Sequence, residues 1–137
     1  MKITRRNQIA RSKRNGAVTV ELAMILPVIF TMVFGIFEFS RMNMIRNTSK
    51  NAAYKAARTA IVPGAQASTA ISAASTLMQA IGVKNSTITV SPNPIPSNAT
   101  SVTVTIVTQM NGNMFFTPMF LKNKSYTATC TLNREDY

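Results

Sequence analysis

Residues 17–37, AVTVELAMILPVIFTMVFGIF, form one apolar run of 21 residues broken by a single charge, Glu21. As a helix this run spans about 31 Å, close to the ~30 Å hydrocarbon thickness of a bilayer. The uncharged part, 22–37, would span only about 24 Å. Glu21 therefore sits near one end of the span or is neutralised within it. Pro27 and Gly35 inside the run are both tolerated in membrane helices. A buried helix of a soluble domain is the alternative, and it leaves the charges at the two ends of the run unexplained.

Beyond the run the pattern becomes one-sided. Ile45, Ser49, Ala52, Ala56 and Ala60 recur at helical steps, with Arg46, Lys50 and Arg58 mostly off that stripe. Pro63-Gly64 ends the pattern, so one helix is predicted over 17–61, about 68 Å long. Ala67, Ile71, Ala74, Met78 and Ile81 predict a second helix over 66–81, with Gly82 as its C-terminal cap. From Asn85 the period changes to two. Ile88 and Val90, then Val102, Val104 and Ile106, then Tyr126, Ala128, Cys130 and Leu132 alternate with Ser and Thr, predicting three half-buried strands. The connection 109–124 carries six large apolar residues: Met114, Phe115, Phe116, Met119, Phe120 and Leu121. The favoured reading is a short turn closing the core of a small sheet that needs the burial. The other is an interaction patch, for a partner or a membrane surface, formed by Phe115, Phe116, Met119 and Phe120. The fold class is α+β: a long N-terminal helix, a second helix and a three-stranded antiparallel sheet.

Charge sharpens the picture. The chain has 137 residues and a net charge of +11, with 15 Lys and Arg against 4 Asp and Glu. Six of the basic residues lie in the first 15 positions: Lys2, Arg5, Arg6, Arg11, Lys13 and Arg14. The 15 positions after Phe37 hold three, Arg41, Arg46 and Lys50. By the positive-inside rule, Arg5, Arg6, Arg11, Lys13 and Arg14 keep the N-terminus in the cytoplasm, and the C-terminal 100 residues are exported. The run is longer than a signal-peptide core, and Glu38-Phe39-Ser40-Arg41 offers no small-x-small cleavage site, so the helix is retained. Glu38 and Arg41, three apart where the helix leaves the lipid, are read as a membrane-exit ion pair; two unrelated interfacial charges are an equal alternative. The basic positions Arg41, Arg46, Lys50, Lys55 and Arg58 read as a solvated helix face, and their export argues against nucleic acid.

Composition excludes most catalysis. There is no His, no Trp and one Cys, so His-based triads, His-ligated zinc, Cys-rich metal sites and an internal disulfide are all out of reach. Paired-carboxylate chemistry would need two of Glu21, Glu38, Glu135 and Asp136. No enzyme activity, metal or cofactor is expected. Cys130 falls on the apolar side of its strand and reads as a small core residue.

The junction Lys13-Arg14-Asn15-Gly16-Ala17-Val18-Thr19-Val20-Glu21 joins a basic leader ending in Gly to an apolar run whose fifth residue is Glu. This resembles the type IV prepilin cleavage site. Downstream come Leu26-Pro27, then Phe34-Gly35-Ile36-Phe37-Glu38-Phe39-Ser40-Arg41, then Asn51-Ala52-Ala53-Tyr54-Lys55-Ala56-Ala57-Arg58. Together, over about residues 11–60, these elements resemble the TadE-like family of minor pseudopilins of the tight-adherence (Tad, or Flp) pilus system. Leu22 departs from that pattern, which usually has an aromatic residue there. The resemblance implies cleavage between Gly16 and Ala17 by a prepilin peptidase, with Glu21 as the assembly carboxylate that meets the new α-amino group. It also implies partners among other pilins, pseudopilins and the Tad secretion machinery, and a role in building a pilus for surface adhesion.

The resulting plan is a cytoplasmic leader (1–16), a transmembrane segment (17–37), an exported helix extension (38–62) and a small α+β exported domain (63–137). The protein is placed in a bacterial inner membrane, single-pass, with its C-terminal domain extracytoplasmic and possible association with the pilus. The alternative is an uncleaved, membrane-anchored envelope binding module. The six-to-three charge asymmetry predicts that a reporter fused after Tyr137 and active only when exported will be active. Activity of a cytoplasm-only reporter at that position would reverse the topology.

Overall fold

The structure, a computed structural model, describes residues 3–116 and 118–134, with side chains from Gly16 onward. The side chains of Arg5, Arg6, Arg11, Lys13 and Arg14 thus lie outside what is described. The elements are α1 (Ile3–Ala60), α2 (Ala67–Ala80), β1 (Ser86–Ser91), β2 (Ser101–Gln109) and β3 (Ser125–Asn133). This is the expected α+β order. The chain forms two compact units, residues 1–36 and 37–137. The helix extension therefore belongs to the same unit as α2 and the sheet.

Helix α1 starts earlier than its apolar pattern. Nothing between Ile3 and Asn15 breaks a helix, and the single Gly at 16 costs only about 1 kcal/mol in a helix interior. Pro27 is accommodated too; its carbonyl accepts a 2.8 Å bond from Thr31 Oγ1 one turn later. Residues 17–34 are exposed without exception, unlike a core helix of a soluble domain. Over Gly16–Ala60, α1 is long and apolar enough to cross a membrane.

In the second unit α1 turns one face inward. Ile45, Ser49, Ala52, Ala56 and Ala60 are fully buried, as their spacing predicts, and Ala53 and Ala57 widen the stripe. Arg46, Lys50, Lys55 and Arg58 face solvent. Helix α2 contributes small residues to the same core. Its buried centre is Ala70, Ala74 and Met78, while Ala67, Ile71 and Ile81 flank the contact half-buried. The α2 face is thus rotated from the stripe read in the sequence. The small Ala70 is fully buried and the bulkier Ile71 only half-buried. At the end of α2, Gly82 (φ +67°) donates to Gln79 O at 2.8 Å and Val83 N donates to Met78 O at 3.1 Å. These two bonds form a Schellman cap, and they satisfy two carbonyls of the last turn.

The sheet is an antiparallel meander in the order β1-β2-β3. Val104 pairs with Val90 on one side and Cys130 on the other, which aligns the apolar positions of all three strands. Val102, Val104, Ile106 and Thr108 of β2 are buried against the helices, with Val90 and Ala128 beside them. The opposite face is threonine. Thr103 and Thr131, directly paired, join hydroxyls at 2.8 Å. Strand β2 runs further than its Val/Ile pattern, so Thr108 falls on the inner side.

Thr108 Oγ1 is buried without a hydrogen-bond partner among the described residues. An unsatisfied buried hydroxyl costs on the order of 1–3 kcal/mol, and valine has the same shape without that group. Thr108→Val is expected to stabilise the fold by about 1 kcal/mol, read as a higher thermal midpoint of the full chain in mild detergent.

Candidate functional site

Two places concentrate the features that the sequence singles out. The first is the junction in the N-terminal unit. Gly16 lies within α1, without positive φ, and a Cβ added there would meet nothing within 4 Å. Nothing in the fold requires glycine at this position. Val18, Val20, Leu22, Met24 and Ile25 beyond it are exposed. Glu21 is exposed among them, with no hydrogen bond or ion pair among the described residues.

The second place is built around Glu38 and Arg41, both buried on α1. The expected ion pair between them does not form; each takes other partners. The Glu38 carboxylate accepts from three consecutive backbone N–H groups: Met119 at 3.1 Å, Phe120 at 3.0 and 3.2 Å, and Leu121 at 2.5 Å. Successive N–H groups turned to one point make an anion-binding concavity. For a carboxylate that fills it, charge-assisted bonds offset the desolvation. Arg41 reaches the other end of the same loop. Its Nε donates to Asn113 O at 2.9 Å, Nη1 approaches Met44 Sδ at 3.2 Å, and the guanidinium lies 5.1 Å from the centre of the Phe115 ring. The two charges fail to pair because the loop offers each a closer match: N–H donors to the anion, a carbonyl and a ring face to the cation.

Asn113 is the hub that sequence reasoning missed. It is 3% exposed, and its side chain accepts from Lys84 N and donates to Lys84 O and Gln109 O, each at 2.6 Å. It thereby ties the loop to the residue that precedes β1 by two positions. The neck is closed by Asn111 and Asn123: Asn111 Nδ2 donates to Asn123 Oδ1 at 2.7 Å, and Asn123 N donates to Asn111 Oδ1 at 3.0 Å. Nothing in the spacing of Asn111, Asn113 and Asn123 marks these long-range bonds in the sequence.

This framework corrects the favoured reading of the loop. Met114 and Leu121 do pack on the core. Phe115, Phe116, Met119 and Phe120 do not; all four point outward, more than half exposed. Phe116 meets Phe37 edge-on at 6.4 Å, and Phe120 stacks on Phe39 at 6.1 Å. The core is already filled by Ile45, Met78, Val102, Val104 and Ile106, and the backbone bonds to Glu38 hold the loop with its rings outward.

Other places offer less. A cleft of about 570 Å³ lies between the start of α2 and residues 93–97, with Arg134 as its only charge among the described residues. That guanidinium is already committed to Ile61 O at 3.0 Å and Ser97 O at 2.7 Å. Cys130 is half-buried against the core, and burial pushes its thiol up, which disfavours the reactive thiolate.

Compared with known families, residues 16–58 match the model of the TadE-like protein family. The matched stretch contains Gly16, Glu21, Glu38 and Arg41, and it ends before α2 and the sheet. No curated protein and no solved structure matches the chain.

Removing the Glu38 carboxylate leaves three loop N–H groups without their charged acceptor. Glu38→Ala is expected to destabilise the second unit by about 2–3 kcal/mol and to expose the loop to chymotrypsin at Phe115, Phe116 and Phe120. Limited proteolysis of the full chain reads this directly, with unchanged cleavage as the contrary result.

Proposed function

We propose that this chain, TadE-like over residues 16–58, is a structural subunit of a Tad (Flp) pilus assembly: a minor pseudopilin anchored by one membrane helix. Residues 1–16 are its cytoplasmic leader, removed by a prepilin peptidase between Gly16 and Ala17. The sheet domain lies on the extracytoplasmic side. Its partners are other pilins and pseudopilins and the secretion machinery, and the product serves surface adhesion.

The observation that carries this reading is a glycine that the fold does not require, close to a carboxylate without a partner among the described residues. Gly16 has open space where a Cβ would go. Helix energetics alone would favour alanine there by about 1 kcal/mol. Cleavage by a peptidase accounts for the glycine. Its weak helix propensity eases local unwinding, and the missing Cβ admits the catalytic groups to the bond. Glu21 supplies the second half. A carboxylate within a membrane helix costs about 2.5–3.5 kcal/mol on insertion scales. In an isolated subunit it can stay near the cytoplasmic surface. When apolar helices gather, the α-amino group of Ala17 on the same or a neighbouring subunit becomes its partner. That pair offsets desolvation and sets the register of the helices, although a buried pair need not be net stabilising.

The test is the intact mass of the chain from cells that carry the peptidase. The mature protein is expected to begin at Ala17 and to carry a side-chain charge of +5, since the six basic residues of the leader are lost from a total of +11. Gly16→Leu should leave the longer form. Glu21→Ala and Glu21→Gln should insert normally but lose co-purification with other pilins in mild detergent. A native chain that keeps residues 1–16 sinks the processing; wild-type assembly by both Glu21 variants sinks the pairing.

A further inference from the structure

We propose that residues 113–116 and 118–121 form a lipid-facing foot: Glu38 and Arg41 clamp them to α1 so that Phe115, Phe116, Met119 and Phe120 seat in the interface of the bilayer that α1 crosses. This rests on the single-pass reading above and adds a surface to it.

The first argument is where the large apolar side chains lie. All seven phenylalanines of the chain are exposed, and none enters the core. Phe30 and Phe34 belong to the apolar run, Phe37 and Phe39 to its end, and Phe115, Phe116 and Phe120 to the loop. The core instead uses Ala, Val, Ile and Met. Phe115 is 64% exposed and Met119 62%. A domain of this size gains by burying such groups, so their exclusion marks a surface that meets something apolar.

The second argument identifies what that is. Phe37 is the last residue of the apolar run, and its ring meets Phe116; Phe39 stacks on Phe120. The patch therefore includes Phe37 and Phe39, the two aromatic residues with which the apolar run ends in the sequence. Aromatic side chains gather at the membrane–water interface in membrane proteins. The four outward side chains carry no hydrogen-bond donor and, beyond one weak thioether, no acceptor. A protein interface of useful size carries roughly one hydrogen bond per 100–200 Å², whereas acyl chains ask for none.

The third argument is charge. Residues 109–121 contain no charged side chain, while Lys122 and Lys124 stand exposed at the loop's neck. An apolar tip with lysines behind it matches a lipid surface that carries anionic headgroups. The two charges within the patch are withdrawn: Glu38 and Arg41 are buried and bonded to the loop itself.

The fourth is rigidity. Three N–H bonds at one end, the Arg41 bond to Asn113 O at the other, and the Asn113 side chain behind hold the backbone. The rings are presented without waiting for a partner to order them, which keeps the entropic cost of seating low.

The test uses the full chain with Cys130→Ala, reconstituted in phosphatidylcholine–phosphatidylglycerol bilayers. Single cysteines Val28→Cys, Phe116→Cys, Met119→Cys and Asn93→Cys carry an environment-sensitive fluorophore. Lipids with a nitroxide either near the headgroup or deep in the acyl chain serve as quenchers. Positions 116 and 119 are expected about 5–10 Å below the headgroup boundary, quenched by the shallow nitroxide at least about twofold more than position 93. Position 28 is expected to respond most to the deep one. If position 28 is quenched while 116 and 119 behave like 93, the foot is overturned, a protein-docking patch takes its place, and the membrane reading stands. If position 28 is not quenched either, the membrane reading falls and the foot with it.

Discussion

The second unit depends on how closely chain can approach the inner face of α1. Ala52, Ala53, Ala56, Ala57 and Ala60 leave that face almost without side chains, and Ser49 and Ile45 continue it toward Arg41. Small residues at a contact let helix backbones come near, as they do between membrane helices. Ala70 and Ala74 of α2 are buried in the same core, and Met78 of α2 reaches α1, its Sδ 3.7 Å from Ser49 Oγ. With both helices so slim, a three-stranded sheet is enough to close the core. Val102, Val104 and Ile106 of the central strand supply the bulk that the alanines omit.

One helix therefore carries two kinds of surface, and its side chains change at Phe37–Arg41. Below, residues 17–34 are apolar almost all round and exposed, as a helix in lipid would be. Above, one face is alanine and the other is charged. At the change sit two buried charges, which a soluble helix interior would tolerate only if each were fully bonded. The loop between β2 and β3 supplies those bonds with its own backbone. The motif residues Glu38 and Arg41 thus use their charges to fasten a distant segment, 72 to 83 residues away in sequence, and not to bind each other.

Glu21 contrasts with Glu38. Both are single carboxylates on α1, yet Glu38 is buried among three N–H donors while Glu21 is exposed and unpartnered among the described residues. A satisfied carboxylate is explained by its own fold. One placed in an apolar run without a partner among the described residues is not explained by its own fold, and this is the ground on which the proposed assembly role falls to Glu21 and not to Glu38.

Periodicity and composition alone determined the elements and much of the core: the α1 stripe, the glycine cap Gly82, the three strands and their inner residues, and the apolar run. These are local consequences of side-chain spacing, which a helix or strand converts directly into a face. Tertiary structure decided the rest. Spacing cannot choose between Ala70 and Ile71 for full burial on α2, because that depends on what packs against the helix. The Val/Ile alternation of β2 ends at Ile106 and does not tell that the strand runs on and carries Thr108 inward. Most of all, nothing in the order of residues tells that Glu38 will be met by the N–H groups of Met119, Phe120 and Leu121, or Arg41 by Asn113. Backbone donors are the same at every residue but proline, so the sequence carries no mark of which ones a fold will turn toward a charge. The outward aim of the loop's rings follows from those bonds, and so it too was settled only when the chain closed on itself.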